Sequence, residues 1–467
     1  MIAGAAETAT ASAVSPWMSG APRAATSLQG DVEADVVIVG GGYTGLSTAL
    51  AMRGRGASVV LLEGQFCGFG ASGRNAGHLT PTIGKDLPTL TRLFGRERVR
   101  SLVALVELAI DEVERLISTH SIQCHYEAVG NVVAAVHPRQ FAAIDRASAT
   151  ARELGLPGTL LDENAMRERG LPAAFVRGYH EQHGGILHPG AYVQGLRQAA
   201  VDAGAAIYEA SPVLRLEDAA RPRAITAAGS ARGRALVLAT NAYALDLELP
   251  APLRSRLLPI YVQLLQTAPL SAEQLARIGW RGREGIYTAH EILESWRLSH
   301  DDRIVGGSKH IRYGYGGGLL PDRDGRVTVK LEGLLRKRFP EIAEVAVDTV
   351  WGGRIGLTLD FLPTVGRTGA HRSIYYSMAY AGHGLAMASY AGTMIADLIA
   401  GRSGPGQTLW GRRTVPLPPS RCAALSSARS TDSSKPSIAV PIRCSAASPA
   451  GSAGSDWKLP LRCRSRR

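Results

Sequence analysis

The segment that most limits what this chain can become runs from Asp35 to Glu63. Asp35–Val39 (DVVIV) is a short β-branched run of the kind a buried parallel strand needs. It leads directly into Gly40-x-Gly42-x-x-Gly45, then into LSTALAMRGRG, whose apolar residues have helical spacing, and then into a second buried strand, ASVVLLE. Gly40 permits the tight turn, Gly42 lets a pyrophosphate approach the backbone, and Gly45 lets the helix pack close to the strand. The helix start at Tyr43 and Thr44 aims free N–H groups and a positive dipole end at the phosphates. Glu63 lies 18 residues beyond Gly45, at the end of the second strand, where an acid accepts hydrogen bonds from a ribose hydroxyl. An acid there also argues against a 2′-phosphate, and so against NADP.

NAD and FAD share this fingerprint. The loop Ser72-Gly73-Arg74-Asn75-Ala76-Gly77 begins nine residues after Glu63, where a plain NAD dehydrogenase would continue with another helix and strand. Small residues beside Arg74 and Asn75 suit a loop lying along a longer cofactor; a surface turn with a solvated arginine is the other reading. ALVLATNA (235–242) is a third buried strand, turning at Ala239 and Thr240. Near the C-terminus, Gly382-His383-Gly384 opens a helix, Leu385–Ala400, that is apolar nearly all round. A buried helix start must give its free N–H groups to something. The pyrimidine edge of a flavin, which gains negative charge on reduction, is suited to it, and an ordinary glycine turn is the alternative.

Composition removes other classes. A chain of 467 residues with 45% hydrophobic and 20% charged residues suggests two domains of an ordinary globular protein. The net charge is +12, but residues 411–467 hold eleven Lys/Arg and two Asp/Glu, or +9, which leaves about +3 on the body. No basic face remains for specific nucleic-acid binding. That tail is rich in Ser, Pro and Arg and is expected to be disordered; residues 1–32 are expected to be a loosely ordered leader without a secretory signal. Five cysteines (Cys67, Cys124, Cys422, Cys444, Cys463) show no metal-ligand spacing, so no metal is expected, and the odd count suggests free thiols in a reducing, cytoplasmic setting. The 385–400 stretch is too short, and too interrupted by Asp397, to span a bilayer. A long helix is expected over Val99–Ser118, another from His188-Pro189-Gly190 to about Ala203, a strand over Ala205–Leu216, and an amphipathic helix near 327–338.

These segments resemble the D-amino-acid oxidase (DAO) superfamily of FAD-dependent oxidoreductases. The likeness runs from about residue 33 to about 402 and is carried by DVVIVGGGYTGLSTALAM, VVLLEGQFCGFGASGRNAGH, LHPGAYVQGLRQAA, LVLATNAY, WGGRIGLTLDFLPTVG and YAGHGLAMASYAG. The SGRN loop and the WGGR segment look like the gamma-glutamylputrescine oxidase-like branch. The resemblance implies an α/β fold, α+β overall: a Rossmann-type FAD-binding domain (residues 33–120, 188–250 and 349–405) with a discontinuous mixed-sheet substrate domain (121–187 and 251–348), as in glutathione-reductase-like folds. It implies FAD contacts at Gly40, Gly42, Tyr43, Thr44, Gly45, Glu63, the 72–77 loop, Val213, Ala239, Thr240, Gly353, Gly382, His383 and Gly384.

The implied chemistry is hydride transfer from a C–N carbon of a small amine or amino acid to the flavin, hydrolysis of the imine, and reoxidation by oxygen or another acceptor. Arg354 is similar to the family's carboxylate-binding arginine, though Ile355 follows it where relatives have proline; it clamps a substrate carboxylate or pairs within the fold. Lys309 resembles the lysine that promotes reaction with oxygen in sarcosine oxidases, and is otherwise a solvated strand residue. His383 meets the ring or the substrate, or is a polar turn residue. In the sarcosine oxidase branch a cysteine that carries the flavin stands where this chain has Gly353, and the residues flanking His78 do not match a histidyl linkage, so the FAD is expected to be non-covalent. Two alternatives stay open: a dehydrogenase using an acceptor other than oxygen, and a non-catalytic flavin-binding protein with a partner-binding tail. Oligomeric state is left open.

Overall fold

The computed structural model describes residues 14–20, 26–248, 251–314, 318–412 and 414–417. The runs of Val, Ile and Leu expected as buried strands become the centre of a six-stranded sheet. Its order is Thr364–Thr368, Ile374–Met378, Ala235–Leu238, Val36–Val39, Val59–Leu62, Ala206–Tyr208. Every pairing is parallel except the edge pair Thr364–Thr368 with Ile374–Met378. Strand alternation divides the apolar residues between two faces. Val36 and Ile38 pack under the helices Tyr43–Arg53, Arg96–Thr119, Pro189–Asp202 and Gly384–Ile399, while Val37 and Val39 face a second apolar layer that includes Ala224 and Ala231 of a small four-stranded sheet.

The remaining large element is an eight-stranded sheet, ordered Val347–Leu357, Leu258–Thr267, Ile304–Gly307, Ser295–Leu298, Gly285–Thr288, Asn131–Ala135, Arg177–Glu181, Gly158–Leu161. One face buries Val132, Ala134, Ile286, Trp296 and Ile304 against Val327, Leu331 and Leu335 of the helix Gly325–Arg338. The other face turns toward the nucleotide-type domain, with Val133 and Tyr179 joining the core of its helices.

Several expectations need correction. Residues 14–18 and 30–33 are not a loose leader. Trp17 and Met18 are buried, the Trp17 indole N–H donates to Asn75 O at 3.0 Å, and Gly30–Glu33 pairs in parallel with Gly229–Arg232. The reason is composition at single positions, since large apolar residues among the Ala and Ser find a groove. The strand Val347–Leu357 runs across the boundary expected at residue 349 and pairs along its length with Leu258–Thr267, so the WGGR segment belongs to the large sheet. The expected 205–216 strand is two short strands, Ala206–Tyr208 and Arg215–Glu217, separated by Ala210 at φ 47° and by Pro212. The tail begins later than 411: Arg412 is buried against Asp360, and Leu417 N donates to Ser255 O at 2.7 Å. Residues 418–467, with the three tail cysteines, lie outside the described residues.

Candidate functional site

Four neighbouring parallel strands end on one edge of the six-stranded sheet, and the sequence places Gly40, Glu63, Ala239-Thr240 and Ala379 just past those ends. In open α/β sheets this carboxyl edge is where ligands sit. Two helices begin there. Tyr43–Arg53 follows the first strand and Gly384–Ile399 follows Ile374–Met378; they are locked together by Thr44 Oγ1 and Tyr380 OH at 2.6 Å and by Ser47 Oγ donating to Ala388 O at 3.2 Å. Both present positive dipole ends to the same edge, although the first amide of the earlier helix, Tyr43 N, is already bonded to Ser72 Oγ.

The glycines serve as the motif requires. Gly40 has φ +110°, and a Cβ on it would lie 2.8 Å from Ala239 O; a Cβ on Gly45 would collide with Gly40 O. A Cβ on Gly42 would lie 2.8 Å from Ser72 Oγ. The Glu63 carboxylate accepts from Gly41 N at 2.7 Å and Gln65 N at 3.0 Å, and burial lifts its pKa against those hydrogen bonds. Val213 follows Pro212, which packs on Gly64 beside this carboxylate.

The 72–77 loop is bound into this edge. Tyr43 N donates to Ser72 Oγ at 3.0 Å, Asn75 Nδ2 to Tyr43 OH at 3.1 Å, and Gly77 N to Asn75 Oδ1 at 2.8 Å. Gly73 and Ala76 pack inward, on Met18 and on the Trp17–Trp351 cluster. Arg74 is buried and reaches the other sheet: its guanidinium donates to Gly352 O at 2.7 Å and pairs with Asp322 at 2.5 Å. Gly353 lies against it, where a Cβ would meet Arg74 Cδ at 2.9 Å. Arg74 therefore joins the two sheets and is no solvated turn residue.

Polar side chains gather where this edge meets the large sheet. Glu63, His78 and His383 are enclosed closely enough for burial to dominate their titration, yet each keeps accessible surface, as do Thr80, Thr82, Thr240, Ile355, Gly382 and Gly384. Burial holds the imidazoles of His78 and His383 neutral, with pKa values lowered to about 4. His383 Nδ1 is held by Thr82 Oγ1 at 2.9 Å. His78 Nδ1 meets Asn131 Oδ1 at 2.9 Å. Because Asn131 Nδ2 donates to Leu79 O and Gly185 O, that oxygen is an acceptor, which makes Nδ1 the protonated nitrogen and Nε2 a lone pair. His78 Nε2, Thr240 Oγ1 and Arg297 Nε are buried without a hydrogen-bond partner among the described residues. Orphaned buried polar atoms point to a polar ligand.

Two sequence candidates are placed elsewhere. Arg354 donates from both ends of its fork to Asp246, at 2.9 and 2.5 Å, and lies over the Tyr243 ring at 4.1 Å. Burial opposes its charge, but the Asp246 pair outweighs this and raises its pKa. It already holds a carboxylate, the protein's own. Lys309 follows Gly307, and the charges acting on it are Glu294, Arg338 and Lys337, with burial lowering its pKa. Glu294 and Arg338 form a buried pair at 2.8 Å, with Trp296 also bonded to Glu294, on the helix-covered face of the sheet. Residues the sequence did not single out are linked to these histidines: Asn131 and Arg297 to His78, and Thr82, then Tyr287 and Glu181, to His383. Their row across the sheet follows only from register, in which Gly285, Asn131 and Glu181 stand side by side.

Known proteins resemble this chain. The family model described as FAD dependent oxidoreductase (DAO) matches residues 35–398. Gamma-glutamylputrescine oxidoreductase of Escherichia coli K12 is 31% identical over 381 residues, covering 80% of this chain and 85% of that protein. A probable oxidoreductase, OrdL, of Haemophilus influenzae is 29% identical, covering 79% and 83%. Among solved structures, glycine oxidase from Geobacillus kaustophilus superposes with a TM-score of 0.70 at 19% identity, covering 82% of this chain and 99% of its own. L-proline dehydrogenase from P. horikoshii superposes with a TM-score of 0.68 at 18% identity, covering 80% and 95%. These structures share the two-sheet fold.

Proposed function

Because this chain belongs to the FAD-dependent oxidoreductase (DAO) family, we propose that it oxidises a C–N bond of a small amine or amino acid between its two sheets. The residues present fit FAD. Gly40, Gly42 and Gly45 with the Tyr43 and Thr44 amides would hold the pyrophosphate, Glu63 a ribose hydroxyl, and the 72–77 loop, Ala239, Thr240 and the 382–384 helix start the remainder of the cofactor. When bound, the flavin supplies a hydride acceptor. The chain encloses the amine, keeps water from the reacting carbon, and offers neutral imidazoles at His78 and His383 that do not repel a cationic substrate. The product imine is hydrolysed in solution, and oxygen reoxidises the enzyme.

What supports this reading is the polar contacts, His78 with Asn131 and His383 with Thr82, between the nucleotide edge and the second sheet, and the unpartnered His78 Nε2. The relative from Escherichia coli, named for γ-glutamylputrescine, supports an amine substrate. In this assignment residues 33–120, 188–250 and 358–405 hold the cofactor and 121–187 with 251–357 bind substrate. The FAD is held without a covalent bond, since Gly353 offers no side chain. Cys67 and Cys124 are free and buried, as suits the cytoplasm, and no helix among the described residues is long and apolar enough to cross a membrane.

The test is an absorbance spectrum of the purified protein, then anaerobic titration with amines and amino acids. Bleaching by one compound, reversed by air, is the expected result. A flavin that no amine bleaches would refute the reaction, and slow recovery in air would refute oxygen as acceptor.

A further inference from the structure

A chain of side-chain contacts leads from the nucleotide edge into the large sheet. It starts at His383, which keeps some accessible surface and whose Nδ1 is 2.9 Å from Thr82 Oγ1. Thr82 is bonded to Thr80 Oγ1 at 2.7 Å, and its hydroxyl lies near enough to that of Tyr287 to favour the ionised phenol against burial. Tyr287 donates to Glu181 Oε2. Glu181 is 5% exposed, ends the strand Arg177–Glu181, and has no ion-pair partner among the described residues. Direction is consistent along the chain. Since Tyr287 donates to Glu181, its oxygen is left to accept from Thr82, and the Thr82 oxygen accepts from an Nδ1–H of His383. That tautomer leaves Nε2 as a lone pair.

We propose that this chain is the exit route for the proton that the substrate's ammonium group loses on oxidation, with Glu181 as its terminal acceptor. This rests on the amine-oxidising reading above. An amine bound as R–CH–NH3+ must shed one proton before or as its C–H pair leaves as hydride. The N–H bond breaks, its electron pair stays on nitrogen, and the proton adds to His383 Nε2 while Nδ1 releases its own to Thr82. Thr82 and Tyr287 each accept one proton and give one, and the Glu181 carboxylate ends as the acid. No further oxidant is required beyond the cofactor that accepts the hydride.

Glu181 suits the role because burial raises its pKa to about 8, with Glu107 of the helix Arg96–Thr119 adding to the rise and the Tyr287 hydroxyl opposing it. Tyr179 on the same strand is the other titratable neighbour. A carboxylate of this basicity is matched to neutral operation. In a merely structural pair with Tyr287, an amide would serve as well as a carboxylate.

The experiment is stopped-flow anaerobic reduction of the FAD-loaded enzyme by an amine that bleaches it, from pH 6 to 9.5, for wild type, Glu181→Gln, Tyr287→Phe and Thr82→Val. In wild type the limiting rate should rise through an apparent pKa near 8. Each variant should lose that limb, with a rate loss on the order of 10²-fold at pH 9. Infrared difference spectra on reduction should show a carboxylic-acid band in wild type that Glu181→Gln lacks. Retention of the limb and the band in Glu181→Gln overturns the proposal. Should that variant fail to hold FAD, Thr82→Val decides, since it removes only a hydroxyl; rates within twofold of wild type at every pH overturn it. If wild type binds FAD but no amine reduces it, the amine-oxidising reading fails and takes the relay with it. If wild type is reduced and the variants match it, only the relay fails.

Discussion

Replacing Gly40 with alanine tests whether the turn between strand and helix sets the cofactor site. Two costs follow from the structure. The residue has φ +110°, a conformation that L side chains rarely adopt, and holding it there costs roughly 1–3 kcal/mol. The new Cβ would sit 2.8 Å from Ala239 O and 2.9 Å from Ala239 C, backbone atoms that cannot rotate away. Ordinary contact begins near 3.4 Å, so the strands Val36–Val39 and Ala235–Leu238 would have to part by about 0.6 Å where Ala239 N donates to Val39 O at 2.9 Å. Overpacking of this kind costs about 1–3 kcal/mol. The sum is about 2–6 kcal/mol, and the displaced turn carries the Gly42 and Tyr43 amides with it. Losing one charge-assisted hydrogen bond to the pyrophosphate, worth about 1.5–3 kcal/mol, should weaken FAD affinity roughly 10- to 150-fold. The assays are urea unfolding of the apoprotein and titration of apoprotein with FAD. Gly54→Ala is the control, because Gly54 ends the same helix at φ −61° with its nearest neighbour 3.4 Å away. Wild-type stability and FAD affinity in Gly40→Ala would refute the reasoning.

Other substitutions probe the rest of the molecule. Glu181 has its folded pKa raised to about 8 from 4.5, so its contribution to stability is full below pH 4.5 and is lost as pH rises through 8. Glu181→Gln should therefore gain in melting temperature relative to wild type at pH 9 over pH 5; a difference that does not change with pH would contradict the assignment. Arg338→Met leaves Glu294 buried without its cation and should cost about 3–5 kcal/mol, while Arg338→Met with Glu294→Leu should recover most of it in the same denaturation assay. Lys309→Met should leave reoxidation in air within twofold, because that lysine sits with the Glu294–Arg338 pair; a loss on the order of 10²-fold would restore it as the oxygen-handling residue. The Arg354–Asp246 pair is half-exposed on the Asp246 side, so a double-mutant cycle on stability should read only about 0.5–1 kcal/mol of coupling.

What the sequence made legible depended on whether the chemistry was local. The Gly40–Glu63 unit could be read because one turn needs its glycines at fixed offsets from a single strand. The Gly384–Ile399 helix could be read because it is apolar all round. Arg354 and Lys309 were left with two readings each for the opposite reason. Each sits in a segment whose shape is familiar, but the partner that decides its role is distant in sequence: Asp246 lies 108 residues from Arg354, and the Glu294–Arg338 pair reaches Lys309 only through the packing of a helix on the sheet. Trp17 was lost inside a stretch whose average composition looked disordered, although one indole against Trp351 and Asn75 is enough to anchor it.

The polar row of the large sheet was invisible for a stricter reason. Asn131, Glu181 and Tyr287 come from three strands whose neighbour relation is a matter of sheet order, and two of those strands pair in parallel after a separation of about 150 residues. No local pattern encodes such a pairing. What a sequence does contain is a polar residue in a run that otherwise reads as core: Asn131 before VVAA, Glu181 after RGYH, Tyr287 inside GIYT. A buried polar group must have a partner or a function. Glu181 finds only a hydroxyl where an ordinary buried carboxylate finds a cation. A charge that the fold leaves without a counter-ion costs stability at every pH at which it is ionised.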